Sequence, residues 1–424
     1  MPKEMKVLEL FAGVGGFRVG LEHANPSLYK TLWANQWEPG KKSQDAFEVY
    51  DYHYPDSENI NENISEISNE RFKEMDADII VGGFPCQDYS VARSKKHEMG
   101  IEGKKGVLFW EIIRAVEQIN PKYLILENVD RLLKSPSSQR GRDFAIMLAA
   151  FNKLNYSVEW RVINAAEYGF GQRRRRVYFF VYRNDLPFAK RMDTIFEAEL
   201  ENEDTYDDYI FNKGLFARQF PIEKLPFKNR KAYYELSDDI VNISDNFSGT
   251  VWNTGVMRHG KYFTIDTKPI ENEKPIPLEK NLQNEKDIPE KFYITDEEKL
   301  KKFEYLRGPK RIQRTSVDGH KYIYSEGGMS PTENLELPSR TMLTSEGTVN
   351  RSTHFLKRNG RYRLITPIEA ERLQNFDDDW TKIKKLADGS EEQVSDRMRM
   401  FFMGNALVTG VIKRIGIELE KIME

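Results

Sequence analysis

The 424-residue chain holds one cysteine, six histidines and no long apolar run. Each shortage excludes something. A single thiol cannot form an internal disulfide, and it gives the scattered histidines no zinc-ligand spacing, so no metal is expected. The longest apolar stretches, residues 79–81 with their glycines and residues 177–182, are strand-sized and far short of a membrane span. The N-terminal MPKEMKVLEL puts charges among its apolar residues and lacks the apolar core and cleavage site of a signal peptide. The expectation is a reducing, cytoplasmic setting with no membrane association. No internal repeat is visible, and nothing marks an obligate protein partner.

What is present is a soluble globular composition, 39% hydrophobic and 31% charged, in a chain too long for one ordinary core. The net charge of −3 argues against a generic polyanion binder, but the charges are segregated. Residues 299–314 carry seven Lys or Arg and one acid, and Lys357, Arg358, Arg361 and Arg363 follow with no acid among them. Residues 196–208 carry seven acids. This permits a basic groove on an acidic body, although such runs are often solvated faces.

Strands and helices alternate through residue 184. Residues 6–10, 77–81, 123–126 and 177–182 read as strands, and residues 17–24, 109–119 and 144–154 as helices. This alternation predicts an α/β fold with a doubly wound, mostly parallel sheet. Residues 185–345 are rich in charge, Pro, Asn and Thr, with short aromatic strands, and predict a separate, irregular domain. Helical spacing returns at TPIEAERLQNF, where Thr366 caps and Pro367 fits the first turn. It continues in an amphipathic helix over residues 407–422. The expected division is a catalytic and cofactor-binding domain (1–184), a second, smaller domain (185–355) and a return segment completing the first (356–424).

Several stretches carry chemistry. LELFAGVGGF (8–17) is a strand running into a glycine turn and a helix, where backbone N–H groups can approach a ligand. A dinucleotide fingerprint would need glycine where Arg18 stands, which weakens a nicotinamide reading. About 20 residues on, ANQWEPG offers Gln36 or Glu38 to a ribose, and Trp37 either to an adenine or to the core. GGFPCQDYS follows a strand and so places Cys86 at the carboxyl edge of the sheet, where open α/β folds bind ligands. A lone cysteine is more often a small buried hydrophobe, yet Pro85, Gln87 and Asp88 are poor core companions. YLILENV delivers Glu127 and Asn128 to the same edge. GQRRRRVYFF brings Gln172 and four arginines, with Arg174 and Arg176 on one side by alternation.

FAGVGGF, GGFPCQDYS, ENV, QRRRR, RLITPIEAERLQNF and GNALV, in that order from residue 8 to residue 410, resemble the DNA (cytosine-5) methyltransferases of bacterial restriction–modification systems. The resemblance implies a Rossmann-like, S-adenosyl-L-methionine-dependent catalytic domain and a target recognition domain in the variable stretch between QRRRR and RLITP. The implied substrate is cytosine flipped out of double-stranded DNA. It further implies Cys86 as nucleophile, Glu127 as the group bound to ring nitrogen 3 and the exocyclic amine, and Arg176 with Arg174 at the base carbonyl. Phe11, Gly13, Gly15, Gly16, Phe17, Gln36, Trp37, Asn63, Pro85 and Asn405 are the implied cofactor contacts. Gln87, Ser90, Arg93, Gln172, Thr341 and Met342 are the implied DNA contacts. Gln36 and Asn63 depart from the family, which commonly has acids there; an amide oxygen accepts the same hydrogen bonds without charge assistance. An RNA methyltransferase sharing these motifs would keep the variable stretch short, and a silent DNA-binding relative would not need Cys86, Glu127 and Arg176.

Overall fold

The computed structural model describes residues 4–85, 108–197, 203–225, 230–316 and 318–424. Seven strands form the heart of the main sheet: β1 (Met5–Leu10), β2 (Tyr29–Asn35), β3 (Glu58–Ile60), β4 (Ile79–Gly83), β5 (Tyr123–Val129), β6 (Tyr156–Asn164) and β7 (Arg175–Arg183). Their order is β3-β2-β1-β4-β5-β7-β6, with β3 to β5 mutually parallel and β7 antiparallel between β5 and β6. Strand order reverses at β1, so the loops after β1 and β4 open beside one another at the carboxyl edge.

Period-two alternation divides the side chains between two cores. Leu8, Leu10, Ile80, Leu124 and Leu126 pack in one core with residues of the helices Asn69–Glu74, Leu108–Ile119 and Arg142–Lys153. Val7, Ile79, Val81, Tyr123 and Ile125 pack in the other, with the helices Gly16–Ala24 and Thr409–Met423. Each large side chain so buried contributes roughly 1.5–3 kcal/mol relative to exposure. Because alternation continues to the strand ends, Glu9, Gly83, Glu127 and Arg176 are delivered to the second face. The first and last helices touch where a Cβ on Gly20 would lie 2.4 Å from Ile412 Cβ, so only glycine admits that approach.

The sheet does not stop at residue 184. Beyond a short strand β8 (Ile222–Lys224), three more strands, β9 (Lys231–Glu235), β10 (Thr254–Arg258) and β11 (Lys261–Ile265), join it antiparallel beyond β6 in the order β6-β10-β11-β9. The expectation that the irregular region begins at 185 therefore needs correcting. Its first part is an extension of the main sheet, because Val256 and Phe263 continue the second core and Met257 and Tyr262 the first. Buried Glu159 on β6 anchors the chain between by accepting from Leu215 N at 2.8 Å and Tyr209 Oη at 3.2 Å.

The irregular part follows β11. It includes a short pairing of β8 with β12 (Thr267–Pro269) and a free-standing hairpin of β13 (Lys310–Thr315) and β14 (Lys321–Glu326). Arg363, fully buried, joins it to the return segment by donating to Glu285 and Glu369 at 2.9 and 2.8 Å. The helix Pro367–Leu373 starts with the expected Thr366 cap. Thr366 Oγ1 accepts from Glu369 N, and Glu369 Oε2 accepts from Thr366 N. Among the described residues no single helix is long and apolar enough to cross a membrane.

Candidate active site

Glu127 lies near the end of β5, paired in register with Gly83 on β4. A Cβ on Gly83 would stand 3.2 Å from Glu127 Oε2, so the missing side chain makes room for the carboxylate. One strand over, Val129 pairs with Arg176, and Arg176 Nε donates to Glu127 Oε1 at 2.9 Å, with the two side chains 16% and 13% exposed. Burial pushes the Glu127 carboxyl above its ordinary range, and the charges of Arg176 and Arg174 pull it partly back. The net result favours a carboxyl that keeps a proton more readily than a surface glutamate. Next in the chain, buried Asn128 donates from Nδ2 to the Phe84 carbonyl at 2.9 Å, fixing the backbone two residues before Cys86. Cys86, Gln87, Ser90 and Arg93 lie outside the described residues; exposed Pro85 is the last one described before them.

The arginine run divides by function. Arg175 is exposed and donates to Asp130 at 2.8 Å, and exposed Arg173 gives its backbone N–H to the Ser339 carbonyl. Arg174 was expected beside Arg176 at the base, but it is buried and donates to the Met342 carbonyl at 3.1 Å and the Gly404 carbonyl at 3.0 Å. Burial and the neighbouring Arg176 charge push it down to about 9. Gln172 is corrected likewise. It is 0% exposed, donates to the Leu373 carbonyl at 3.1 Å and accepts from Met342 N at 3.0 Å, so its amide is turned into the protein and away from DNA. Met342 is also fully buried, and half-buried Thr341 donates to the Arg173 carbonyl at 2.5 Å. These three residues, expected at DNA, form the joint between the irregular region and the sheet.

The glycine turn stands at the neighbouring strand end. Phe11, Gly13 and Gly15 have φ of 55°, 56° and 92°, a sharply turned backbone that glycine adopts at little steric strain. Gly13 N donates to Gln36 Oε1 at 2.8 Å, so Gln36 braces the turn itself. Half-buried Glu38 has its backbone held by Gln44, which accepts from Glu38 N at 2.8 Å and donates to its carbonyl at 3.0 Å. Half-buried Asn63 caps a short turn by accepting from Ser65 N. Phe17 was expected at the cofactor, yet its ring is in the core and its N–H donates to Glu9. Gly16 packs against Leu407 and is buried.

Room for a ligand remains above the turn. A Cβ on Gly13 would meet nothing within 4 Å, Trp37 keeps 38% of its surface exposed, and Asn405 is exposed beyond Gly404. An open glycine cradle with an exposed indole next in the chain to Gln36 fits a nucleoside-bearing cofactor.

Several residues at the site went unread in the sequence. Glu9 is fully buried, accepts from Phe17 N and Tyr50 Oη at 3.2 and 3.0 Å, and is pushed up to about 7 by burial. Its signal was a single acid inside an apolar strand. Trp380 donates from Nε1 to the Val14 carbonyl at 2.8 Å and stacks on His53 with centroids 3.7 Å apart. That link joins residues 366 positions apart and leaves no local pattern.

A parallel sheet reversing at a glycine turn, with an acid–arginine pair at the next strand ends, defines a Rossmann-like methyltransferase class. The family model described as C-5 cytosine-specific DNA methylase matches residues 5–421. The chain is 53% identical over 419 residues to the type II methyltransferase M.Sau3AI of Staphylococcus aureus, covering 99% of this chain and 96% of that protein. It is 32% identical over 182 residues to the type II methyltransferase M.HhaI of Haemophilus parahaemolyticus, covering 43% of this chain and 50% of that protein. The S. pombe Dnmt2 methyltransferase structure superposes with a TM-score of 0.59 over 99% of each chain at 14% identity, a likeness of fold. The chain belongs to the C-5 cytosine-specific DNA methylases and is a DNA cytosine-5 methyltransferase.

Proposed function

We propose that this chain methylates carbon 5 of one cytosine within a specific duplex sequence, after rotating that base out of the helix, and protects DNA from a cognate restriction endonuclease. The observation that carries the reading is the Glu127–Arg176 pair beside Gly83, three residues before Cys86. None of these groups can reach a stacked base, and rotation of the base out of the duplex costs a few kcal/mol. In this reading the enzyme works in the cytoplasm and needs neither a metal nor a membrane.

Carbon 5 of cytosine is a poor nucleophile until carbon 6 is attacked. The Cys86 thiolate adds to carbon 6, and the ring electrons shift toward carbon 5 and nitrogen 3. Glu127, biased toward its protonated form by burial, would donate to nitrogen 3 and accept from the exocyclic amine, so the charge arising on attack meets a preplaced partner. Arg176 fixes the Glu127 carboxyl and turns its guanidinium toward the base carbonyl. S-adenosyl-L-methionine, when bound, supplies an electrophilic methyl group. Phe11, Gly13, Gly15 and Gly16 would cradle its methionine end, Trp37 its adenine, and Asn405 would close the site from the return segment. Loss of the carbon 5 proton to a base then lets the carbon–sulfur bond break and frees Cys86.

The test is incubation with labelled S-adenosylmethionine and either duplex DNA or transfer RNA. Label is expected in DNA; label in RNA alone, or in neither, contradicts the reading.

A further inference from the structure

We propose that one face of the hairpin β13–β14 is the base-reading surface of this enzyme and that it enters the major groove of duplex DNA. The register pairs Arg311 with Ser325, Gln313 with Ile323 and Thr315 with Lys321. Directly opposed residues share a face, so these six form one surface, and all six are exposed. That face carries two cations and no acid. Its side chains are those that read base edges: Arg for guanine, Gln for adenine, Ser and Thr for either, and an apolar group for the thymine methyl. Ile323 is 56% exposed at its centre, where its side chain is free to pack on a thymine methyl. A two-stranded ribbon fits the width of the major groove.

The opposite face anchors the ribbon. Lys310 Nζ donates to Glu326 at 3.0 Å and to the Leu306 carbonyl at 2.8 Å, and Arg351 pairs with Glu326 at 3.0 Å. Further along, Arg314 lies 4.0 Å over the Tyr324 ring. Two members of the basic cluster seen in the sequence, Arg307 and Lys310, are thereby structural, while Arg311 lies on the exposed face.

A set of buried and half-buried bonds runs from the hairpin root to Gln172 and Arg174, just ahead of Arg176 in the chain. Arg307 donates to Glu333 at 2.7 Å, and Arg340 donates to the same carboxylate at 2.6 Å. Next to Arg340, Ser339 N donates to the Gly171 carbonyl, and Met342 is held by Gln172 and Arg174. The ribbon is thereby tied to the segment that leads into Arg176, as a specificity element must be if it is to choose which cytosine reaches the site.

The proposal rests on DNA methylation by the full chain, which wild-type enzyme checks on the same substrate: a pool of duplexes randomised around a central cytosine, read by bisulfite sequencing. With Arg311→Ala, Gln313→Ala and Ile323→Ala, each variant is expected to relax the preference at one base pair by about tenfold to a hundredfold. Lys321→Ala is expected to weaken all sequences evenly and to lower the salt slope of binding by about one. These side chains are exposed, so melting temperatures should match wild type. A wild-type pool with one dominant motif, together with an unchanged motif in all three variants and kcat/KM within twofold, overturns the proposal.

Discussion

The two halves of the sheet are built from similar residues but do different work. In the parallel half every strand from β3 to β5 ends at one edge, so Glu9, Gly83 and Glu127 gather there without any long-range instruction. In the antiparallel half, β6, β10, β11 and β9 alternate in direction and scatter their ends between both edges. Two of its buried charges, Glu159 and Arg161, bond to the backbone of residues 210–220. β7 is the seam, and the arginines at and just before its start show both behaviours two residues apart. Arg176 meets an acid that is pushed toward neutrality, whereas Arg174 meets carbonyls.

The comparison can be broken or sharpened by mutation. The largest effect is expected at Cys86: Cys86→Ala should abolish methyl transfer and the covalent complex on 5-fluorocytosine DNA, read by denaturing gel shift. Arg174→Met should act on the fold. Its two carbonyl partners, buried and left unsatisfied, cost about 1–3 kcal/mol each, measured as a lower denaturation midpoint. Arg176→Lys should instead keep the midpoint and lower kcat, because an ammonium cannot supply the guanidinium fork.

In the antiparallel half, Glu159→Gln should change stability little at acidic pH, where the carboxyl is itself neutral, and leave kcat unchanged. Burial pushes Glu159 up to about 7. A raised carboxyl contributes stability that is full below its unfolded value and is lost as pH rises through about 7, since the folded state then binds more protons than the unfolded one. The wild-type melting temperature should therefore fall between pH 5 and pH 8 more steeply than that of the Gln variant. The smallest effect is expected at the glycine turn. Gln36→Ala should raise the S-adenosylmethionine dissociation constant several-fold by loosening Gly13, worth about 1 kcal/mol for one hydrogen bond; Glu38→Ala should change it less.

The local grammar of the chain was readable. Apolar runs gave β1, β4, β5 and β7 to within a few residues, and the Thr366–Glu369 capping box was visible as Thr-Pro before a helical pattern. The meeting of Glu127 and Arg176 was legible because an acid near the end of β5 and an arginine near the start of antiparallel β7 share one edge. Gln172, Arg174 and Met342 were misread because their roles are set by partners 168 to 230 residues away. Periodicity carries no information over such distances. Phe17 was misread because a motif says which residues stand near a ligand and not which way a ring turns. The three added strands were missed because short aromatic segments look alike whether they close a small domain or extend a large sheet.

The central claim is that Glu127, its carboxyl raised by burial and held by Arg176, stabilises the attacked base. Single-turnover methyl transfer by Glu127→Gln on the enzyme's own target duplex tests it most directly, with DNA binding and melting measured alongside. A fall of about 10²–10³ in the transfer rate, with binding and melting unchanged, is the predicted result. A rate within twofold of wild type would contradict the account.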